Sequence, residues 1–372
     1  MIAHIRMPAT RAAAVAATSA LVLLLTSCVD NAQTASVGKD VSGRDIPATV
    51  SPDTTLTVGS PELKVALELS GQIDKLPFEV EWANISGGPK CSEAFRAGAL
   101  DVCSAADIPA INAYWTGLDT KLVAAKFRKD PLRYPVYELG IAPGAGIKTL
   151  ADLRGKKIAY SPGQAQGALV LRILRKAGLT QDDVELVELA STDDVYPTAL
   201  GNRQVHAAPI ADVNIKRYLA KYGKDGATTV RHGLRDDPEH LWALTDSVSD
   251  PGKSAAIREL VEIWARARIW IDTHPEEWVE GFYVKDQGLS REDGAYLVER
   301  AGHPDIPADW DAAIRRQQQT IDLLAREQKR EAFDANVLFD RRYESVGADA
   351  IEGTGEAGAG KAAADRTAGD AA

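Results

Sequence analysis

The residues with the clearest chemical meaning lie between positions 81 and 109, where small residues come directly before a predicted helix. Ser86-Gly87-Gly88 reads as a turn that can adopt unusual backbone angles, and Pro89 suits a first helical position because its φ is fixed. A helix start leaves free N–H groups and carries a positive partial charge. The segment therefore predicts a strand–loop–helix–strand unit whose helix start can hold an anion.

Polar side chains recur at other places where a predicted strand ends and a helix begins. Ligands of open parallel sheets bind beyond the carboxyl ends of the strands, so these loops are expected to face one cleft between two lobes. The candidate ligand-binding residues are Ser60, Glu62, Ser86, Gly87, Asp107, Gln164, Gln166 and Asp212. Structural roles stay open: Ser86 can cap its helix, Glu62 can favour the helix dipole, and Asp107 can accept backbone N–H groups or meet a ligand ammonium.

Common catalytic motifs are missing from the sequence. The histidines show no metal-ligand spacing, and neither H-E-x-x-H, nor G-x-S-x-G, nor a Walker A motif is present. The sequence therefore indicates a binding protein rather than an enzyme, and it predicts no cofactor and no metal.

Length and charge narrow the class further. The 372 residues suffice for two lobes, and 45% hydrophobic with 26% charged residues is typical of a folded soluble protein. A net charge of −10 offers no basic stripe to nucleic acid, so no nucleic-acid partner is expected.

The N-terminus has the features of a bacterial lipoprotein signal. Arg6 and Arg11 precede an apolar run over residues 12–25, which is too short to span a membrane. The run ends in Leu25-Thr26-Ser27-Cys28, which resembles a lipobox, so we expect a lipid on Cys28 that anchors an extracytoplasmic protein to the bacterial cell membrane. An ordinary signal peptide with an incidental cysteine is the alternative.

Cys91 and Cys103 are the two remaining cysteines, and an exported protein permits disulfides. A helix of about 8 residues at ~1.5 Å each runs away from Cys91, and a strand of about 4 residues at ~3.3 Å each returns to Cys103. The length of the helix and that of the returning strand nearly cancel, so the two cysteines are expected to lie close together and to form a disulfide. Two independent buried thiols are the alternative.

Three blocks of sequence resemble the substrate-binding proteins of ABC importers, in the subgroup for aliphatic sulfonates, taurine and nitrate. Together they span roughly residues 55–245. They comprise Gly88-Pro89, Glu93-Ala94, Ala97-Gly98, Asp101 and Asp107-Ile108-Pro109; then Leu150 to Ala159; then Leu174 to Leu179 with Asp183-Val184. Two departures fall in the expected cleft, because Gly163-Gln164-Ala165-Gln166-Gly167 replaces the subgroup's Gly-Ser-Ser-Ala-His, and Ile210-Ala211-Asp212 replaces Trp-Asp-Pro. These departures bear on the sulfonate assignment and not on the importer role.

The alternation of strand and helix patterns predicts an α/β fold. With the resemblance, it implies a two-lobed periplasmic-binding-protein fold of type 2, each lobe a mainly parallel sheet flanked by helices, with a helical C-terminal segment packed on lobe 1. The expected division is a signal peptide over 1–28, a flexible tether over 29–52, lobe 1 over 53–142 and 241–346, lobe 2 over 143–240, and a disordered tail over 347–372.

The resemblance implies a monomer that captures a small polar ligand without a cofactor and delivers it to a membrane permease with a separate ATPase subunit. The ligand is expected to be anionic and sulfonate-like. One alternative is an enzyme on the same fold, since the wider family includes relatives tied to thiamine-pyrimidine biosynthesis. Another is a ligand-sensing or adhesion lipoprotein.

Overall fold

The computed structural model describes residues 37–192 and 194–352, so the predictions for Cys28, the signal peptide and residues beyond 352 lie outside the described part. The strands are β1 (Thr55–Gly59), β2 (Glu79–Ala83), β3 (Val102–Ala105), β4 (Thr120–Arg128), β5 (Tyr137–Ile141), β6 (Lys157–Tyr160), β7 (Glu185–Glu188), β8 (Ala207–Ala211), β9 (Thr228–Val230), β10 (Glu239–Leu244) and β11 (Pro304–Asp305).

The helices alternate with these strands and then dominate the C-terminal part. They are α1 (Pro61–Leu69), α2 (Gly88–Arg96), α3 (Ile108–Trp115), α4 (Ala165–Lys176), α5 (Val195–Gly201), α6 (Val213–Tyr222), α7 (Thr245–Ser249), α8 (Pro251–Thr273), α9 (Pro275–Trp278), a π-helix (Val279–Asp286), α10 (Arg291–Ala301) and α11 (Asp311–Gln328). Short 3₁₀ helices occupy Ile73–Lys75, Leu150–Leu153, Gln181–Asp183, Gly223–Asp225, Ala335–Leu338 and Arg341–Tyr343.

Two separate sheets confirm the two-lobed fold. Lobe 1 has the strand order β11-β4-β10-β3-β1-β2, and lobe 2 has the order β7-β6-β8-β5-β9. Each sheet has its own apolar core. Both sheets are mixed: β1 pairs parallel with β2 and β3, and β6 pairs parallel with β7 and β8, whereas β10 pairs antiparallel with β3 and β4, β11 with β4, and β5 with β8 and β9. Strand β10 in lobe 1 and strand β5 in lobe 2 run against the βαβ strands of their sheets, and each follows a crossing between the lobes.

The crossing from lobe 1 to lobe 2 lies before β5. The sequence indicated a boundary at residue 143, but β5 pairs with β8 and β9 and so belongs to the second sheet. Leu139 and Ile141 are buried in the core of lobe 2. The Pro143-Gly144 break is instead a turn inside lobe 2, closed by a hydrogen bond from Ala145 N to Ala142 O of 3.1 Å.

Helix α8 ties the C-terminal segment to lobe 1. Its start is fixed by Pro251 in the first turn and by Asp250, whose carboxylate accepts a 2.8 Å hydrogen bond from Lys253 N. Leu260 and Trp264 are fully buried and join the core of lobe 1. Burying side chains of this size stabilises the fold by about 1.5–3 kcal/mol each, which is why a helix far along the chain returns to the first sheet.

The chain ends of the described part also make contacts. Within the predicted tether, Gly38 N donates to Asp119 Oδ1 at 2.9 Å and Val41 is buried. Within the predicted tail, residues 346–352 are helical, and Ala348 and Ala350 are buried. In the described residues, no helix combines the length and the apolar character needed to cross a membrane.

Candidate functional site

The parallel strands of both sheets place helix starts along one side of each lobe. Strand β1 ends at Gly59 and α1 follows at once, with Ser60 as its N-terminal cap residue. Ser60 is only 1% exposed, and among the described residues its Oγ has no hydrogen-bond partner. Because a buried hydroxyl without a partner is costly, Ser60 is a candidate for contact with a ligand or water.

Glu62, one residue into α1, is held by the protein. Its Oε1 lies 2.8 Å from Arg268 Nη1, and Arg268 also pairs with Glu239 Oε1 at 2.6 Å. Glu239 in turn pairs with Lys126 at 2.5 Å. Burial works against ionisation of Glu239, but the positive charges of Arg268 and Lys126 outweigh it and keep its pKa below the usual range. This alternating network neutralises much of the lobe 1 side of the cleft.

Asp107 lies where β3 ends and α3 begins, and it connects the two lobes. Its carboxylate is buried and lies 3.6 Å from the guanidinium of Arg172 on α4. Burial raises the pKa of Asp107, and the charge of Arg172 partly opposes that shift. Its carbonyl accepts a 3.0 Å hydrogen bond from Gln317 Nε2. Asp107 therefore has structural partners while it lines a cavity of about 270 Å³ between the lobes.

That cavity, which we call the cleft cavity, draws on both lobes and the crossings between them. Lobe 1 contributes Asp107, Lys126, Arg128 and Glu239; lobe 2 contributes Tyr137, Ala165, Leu169 and Arg172; Val136, Asp236, Asp237 and Pro238 come from the crossings. Its volume fits a small organic ligand of a few heavy atoms.

The start of α4 brings the loop over residues 161–164 towards lobe 1. Gln164 is the cap residue of α4, and Gly163 O accepts a 3.1 Å hydrogen bond from Asn112 Nδ2 of lobe 1. Gly167 must lack a side chain, because a Cβ there would lie 2.1 Å from Ser161 O. This close contact between α4 and the loop over residues 161–164 fixes the backbone positions of Gln164 and Gln166.

Gln166 and Asp212 meet in a second cavity of about 230 Å³ on the lobe 2 side of the cleft, together with Tyr137 and Tyr196. Gln166 Nε2 donates to Ser191 O at 3.4 Å. Asp212 follows β8 with a φ of 53°, a conformation that Asp and Asn adopt more readily than most residues. Such local strain is retained where the surrounding structure requires it.

The carboxylate of Asp212 has no cationic partner within ion-pair distance in the described part of the chain. The Asp212 side chain is exposed at the cleft, yet desolvation by the surrounding protein raises its pKa; the charge of Arg128 opposes this shift and that of Glu62 adds to it. Its negative charge also contributes to raised pKa values at Tyr137 and Tyr283. Throughout residues 37–192 and 194–352, no ion pair forms on Asp212.

Arg128, at the end of β4, is the matching cation on lobe 1. Its Nη1 donates to the carbonyl oxygens of Tyr134 at 2.8 Å and Arg300 at 3.2 Å. In the described part of the chain it too has no carboxylate ion-pair partner. The two lobes therefore present one unpaired charge of each sign to the same cleft.

Ser86 and Gly87 lie apart from both cavities. They are exposed, and β2, which precedes them, is the edge strand of the lobe 1 sheet. The start of α2 packs instead on Pro109, since a Cβ on Gly88 would lie 2.2 Å from Pro109 Cγ. The two residues line neither the cleft cavity nor the second cavity.

Sequence reasoning missed the contributions of β4 and the C-terminal segment. Arg128 follows the strand-end rule and could have been found from it, whereas Arg268, Tyr283 and Arg300 lie on helices with no such signal. Arg300 Nη2 pairs with Glu138 Oε1 of lobe 2 at 2.7 Å. Helix α10 thus belongs to the wall of the cleft.

Helix α10 also contacts lobe 2 through a second cluster. Asp293 Oδ1 lies 2.8 Å from Lys216 Nζ, and Asp293 Oδ2 lies 3.1 Å from Arg217 Nη2, both on α6. These two pairs and the Arg300–Glu138 pair clamp helix α10 of the C-terminal segment against lobe 2.

The two described cysteines are joined. The Cys91–Cys103 disulfide links α2 to β3 with a Cα–Cα distance of 6.1 Å, and both residues are fully buried. The bond lies beneath the strand ends of lobe 1 and stiffens the sheet on which Ser60 and Asp107 are mounted.

The fold and site define a two-lobed α/β protein with a polar cleft between the lobes. A family model described as NMT1/THI5 like matches residues 79–277, and the chain belongs to this family. A protein of Escherichia coli (strain K12) named as an aliphatic sulfonates-binding protein is 34% identical over 66% of this chain and 74% of its own length.

Solved structures agree on the fold. The periplasmic aliphatic sulphonate binding protein SsuA from Escherichia coli matches with a TM-score of 0.65 at 24% identity, covering 78% of this chain and 92% of that chain. The desulfurization enzyme DszB matches with a TM-score of 0.53 at 16% identity, covering 80% of this chain and 99% of that chain. The family and these relatives support solute binding as the general activity, while the fold is also used by an enzyme.

Proposed function

We propose that the protein is the solute-binding component of an ABC importer and captures a small sulfonate in the cleft between its lobes. The protein catalyses no reaction. A ligand that contacts both lobes favours their closed arrangement, and the closed arrangement docks on a permease served by a separate ATPase. A lipid on Cys28 holds it outside the cytoplasm at the cell membrane.

The observation that carries the proposal is the pair of unbalanced charges, Arg128 on lobe 1 and Asp212 on lobe 2. A sulfonate is a weakly basic anion that a guanidinium can bind with charge-assisted hydrogen bonds. Asp212 suits a ligand ammonium, and aromatic rings such as Tyr137 and Tyr283 near it favour cations. The ligand class is therefore an aminoalkane sulfonate, for which taurine serves as the test compound.

The experiment compares taurine with ethanesulfonate, which has the same sulfonate and carbon chain but no ammonium. Calorimetry should show that taurine binds more tightly to the wild-type protein. Asp212→Asn keeps the shape and the tolerance of a positive φ, and removes only the charge. Loss of a hydrogen bond to a charged group costs about 1.5–3 kcal/mol, so taurine should bind roughly ten- to a hundredfold more weakly, and ethanesulfonate should be unaffected or improved.

Asp130→Asn is the matched control. Asp130 is exposed and has the same φ of 53°, but it lines neither of the two cavities. It should leave both affinities unchanged. Failure of both compounds to bind the wild type would contradict sulfonate capture, and equal weakening of both compounds by Asp212→Asn would contradict the role of its charge.

A further inference from the structure

A third cavity, of about 400 Å³, lies behind the cleft, where α4 of lobe 2, the chain returning to lobe 1 and α11 meet. We call it the rear cavity. It shares only Asp107, Arg172, Asp237 and Pro238 with the lining of the cleft cavity. Strand ends and helix starts contribute little to it, so it is a different kind of site from the cleft.

The rear cavity is strongly basic although the whole chain is acidic. Its cationic side chains are Arg172, Arg175, Lys176, Arg235 and Arg316, against the carboxylates of Asp107 and Asp237. Both carboxylates are already paired, Asp107 with Arg172 at 3.6 Å and Asp237 with Arg235 at 2.9 Å.

Three cations therefore remain without a carboxylate. Arg175, Lys176 and Arg316 make no ion pair with any described residue. Lys176 Nζ is held by the carbonyl oxygens of His232 and Gly233 at 2.9 and 2.7 Å, which fixes its position at the rim and leaves its charge unbalanced.

Arg316 is the strongest sign of an absent anion. Its guanidinium lies 4.6 Å from the centre of the Phe127 ring, and that of Arg235 lies 5.5 Å from the same ring. Burial lowers the pKa of Arg316 and the charge of Arg235 lowers it further, while the charges of Asp237 and Asp305 oppose the shift. Asp237 already pairs with Arg235 at 2.9 Å, so the second guanidinium at this buried ring, that of Arg316, has no carboxylate of its own.

The remaining lining combines apolar side chains with the polar His240, Gln317, Gln319 and Thr320. Phe127, Leu234, Pro238 and Ala313 supply a floor beneath the basic rim. An inorganic ion would use the rim alone, whereas an organic anion with a flat apolar body would cover the floor as well.

We propose that the rear cavity is a second binding site, for an organic dianion such as an aryl phosphate, formed by the basic rim of Arg175, Lys176 and Arg316 over an apolar floor. Because α4 belongs to lobe 2 and α11 packs on lobe 1, a ligand bound there joins the two lobes from behind the cleft. This proposal goes beyond solute capture and does not depend on the identity of the cleft ligand.

The test is calorimetry of the full-length protein with 1-naphthyl phosphate, inorganic phosphate and 2-naphthol at equal ionic strength. We expect 1-naphthyl phosphate to bind more tightly than either of the other two. Arg316→Gln and Arg175→Gln should each weaken it by about tenfold or more, as expected for loss of a charged partner. Arg175 is exposed, so its variant remains informative if the Arg316 variant folds poorly.

Arg315→Gln is the matched control, since Arg315 neighbours Arg316 on the same helix, is exposed and does not line the rear cavity. It should leave binding within about twofold of the wild type, and so should Asp212→Asn, which lies in the cleft. Absence of binding, equal loss in the Arg315 variant, or loss in the Asp212 variant would each overturn the proposal. Binding of inorganic phosphate as tight as that of 1-naphthyl phosphate would overturn the choice of an organic ligand.

Discussion

Acidification should destabilise this protein through one buried histidine. His240 lies on β10, is 2% exposed, and neither of its ring nitrogens has a hydrogen-bond partner among the described residues. The rings of Phe127 and Phe339 lie edge-on to it at 6.1 and 6.2 Å. Burial lowers the pKa of His240 to about 4; the charge of Arg316 adds to the shift, while that of Glu239 opposes it.

The direction of the pH effect on stability follows from the protonation of His240 in the folded and unfolded states. Between pH 6.5 and about 4 the unfolded chain binds a proton on His240 and the folded chain does not, so the free energy of unfolding falls as the pH falls. At about 1.36 kcal/mol per pKa unit, the full loss is roughly 3 kcal/mol below pH 4, and about 2 kcal/mol of it is present at pH 5. Below the folded-state pKa, the contribution becomes constant.

Urea unfolding of the wild type and of His240→Leu at pH 7 and pH 5 measures this contribution. Leucine fills a similar volume and cannot titrate, so its own effect on stability is the same at both pH values. The wild type should lose about 2 kcal/mol more than the variant between the two pH values. Carboxylates such as Glu239 titrate in both proteins and largely cancel in the difference. Equal losses would show that water or a partner reaches the ring, and the argument from burial would fail; His240→Phe provides a second comparison.

Two further changes test the ion pairs that clamp α10 against lobe 2 and the lipid anchor on Cys28. Asp293→Asn removes both ion pairs to Lys216 and Arg217 and so should favour the open arrangement, which should raise the dissociation constant for taurine measured by calorimetry about two- to tenfold. Glu292→Gln is its control, because the Glu292 side chain is 84% exposed and its pair with Lys216 should contribute little; equal effects in the two variants would contradict the clamp. Metabolic labelling with a fatty-acid analogue should mark the wild type and not Cys28→Ser, and equal labelling would contradict lipidation.

Local signals in the sequence predicted the elements well. Proline in the first turn marked the start of α2, and the alternation of patterns indicated the βαβ units from β1 to β3 and from β6 to β8. These features depend on neighbouring residues, which a single sequence contains. The two-lobed fold then followed from the resemblance together with the alternation.

Features that depend on distant pairing were harder to predict. Strand β5 looks like a continuation of lobe 1, and only its pairing with β8 and β9 assigns it to lobe 2. Likewise, the strand-end rule selects loops but not their order across the sheet. The loop with Ser86 and Gly87 follows the edge strand β2, whereas the loop with Asp107 follows β3 nearer the centre. Arg300 reaches the cleft from a helix more than 150 residues after Glu138, its partner at 2.7 Å.

The distribution of charge in the cleft also bears on how the protein would select a ligand. Glu62 and Asp107 were natural candidates for direct contact, but Arg268 and Arg172 already neutralise them. What remains is one cation, Arg128, and one anion, Asp212, on opposite lobes. A ligand with both charges would pair each of them as the cleft closes. A ligand with only one charge would leave the other buried without a partner, and that desolvation cost would oppose closure even where the ligand itself is well bound. Selectivity would therefore come from the closing step more than from the contacts of either lobe alone.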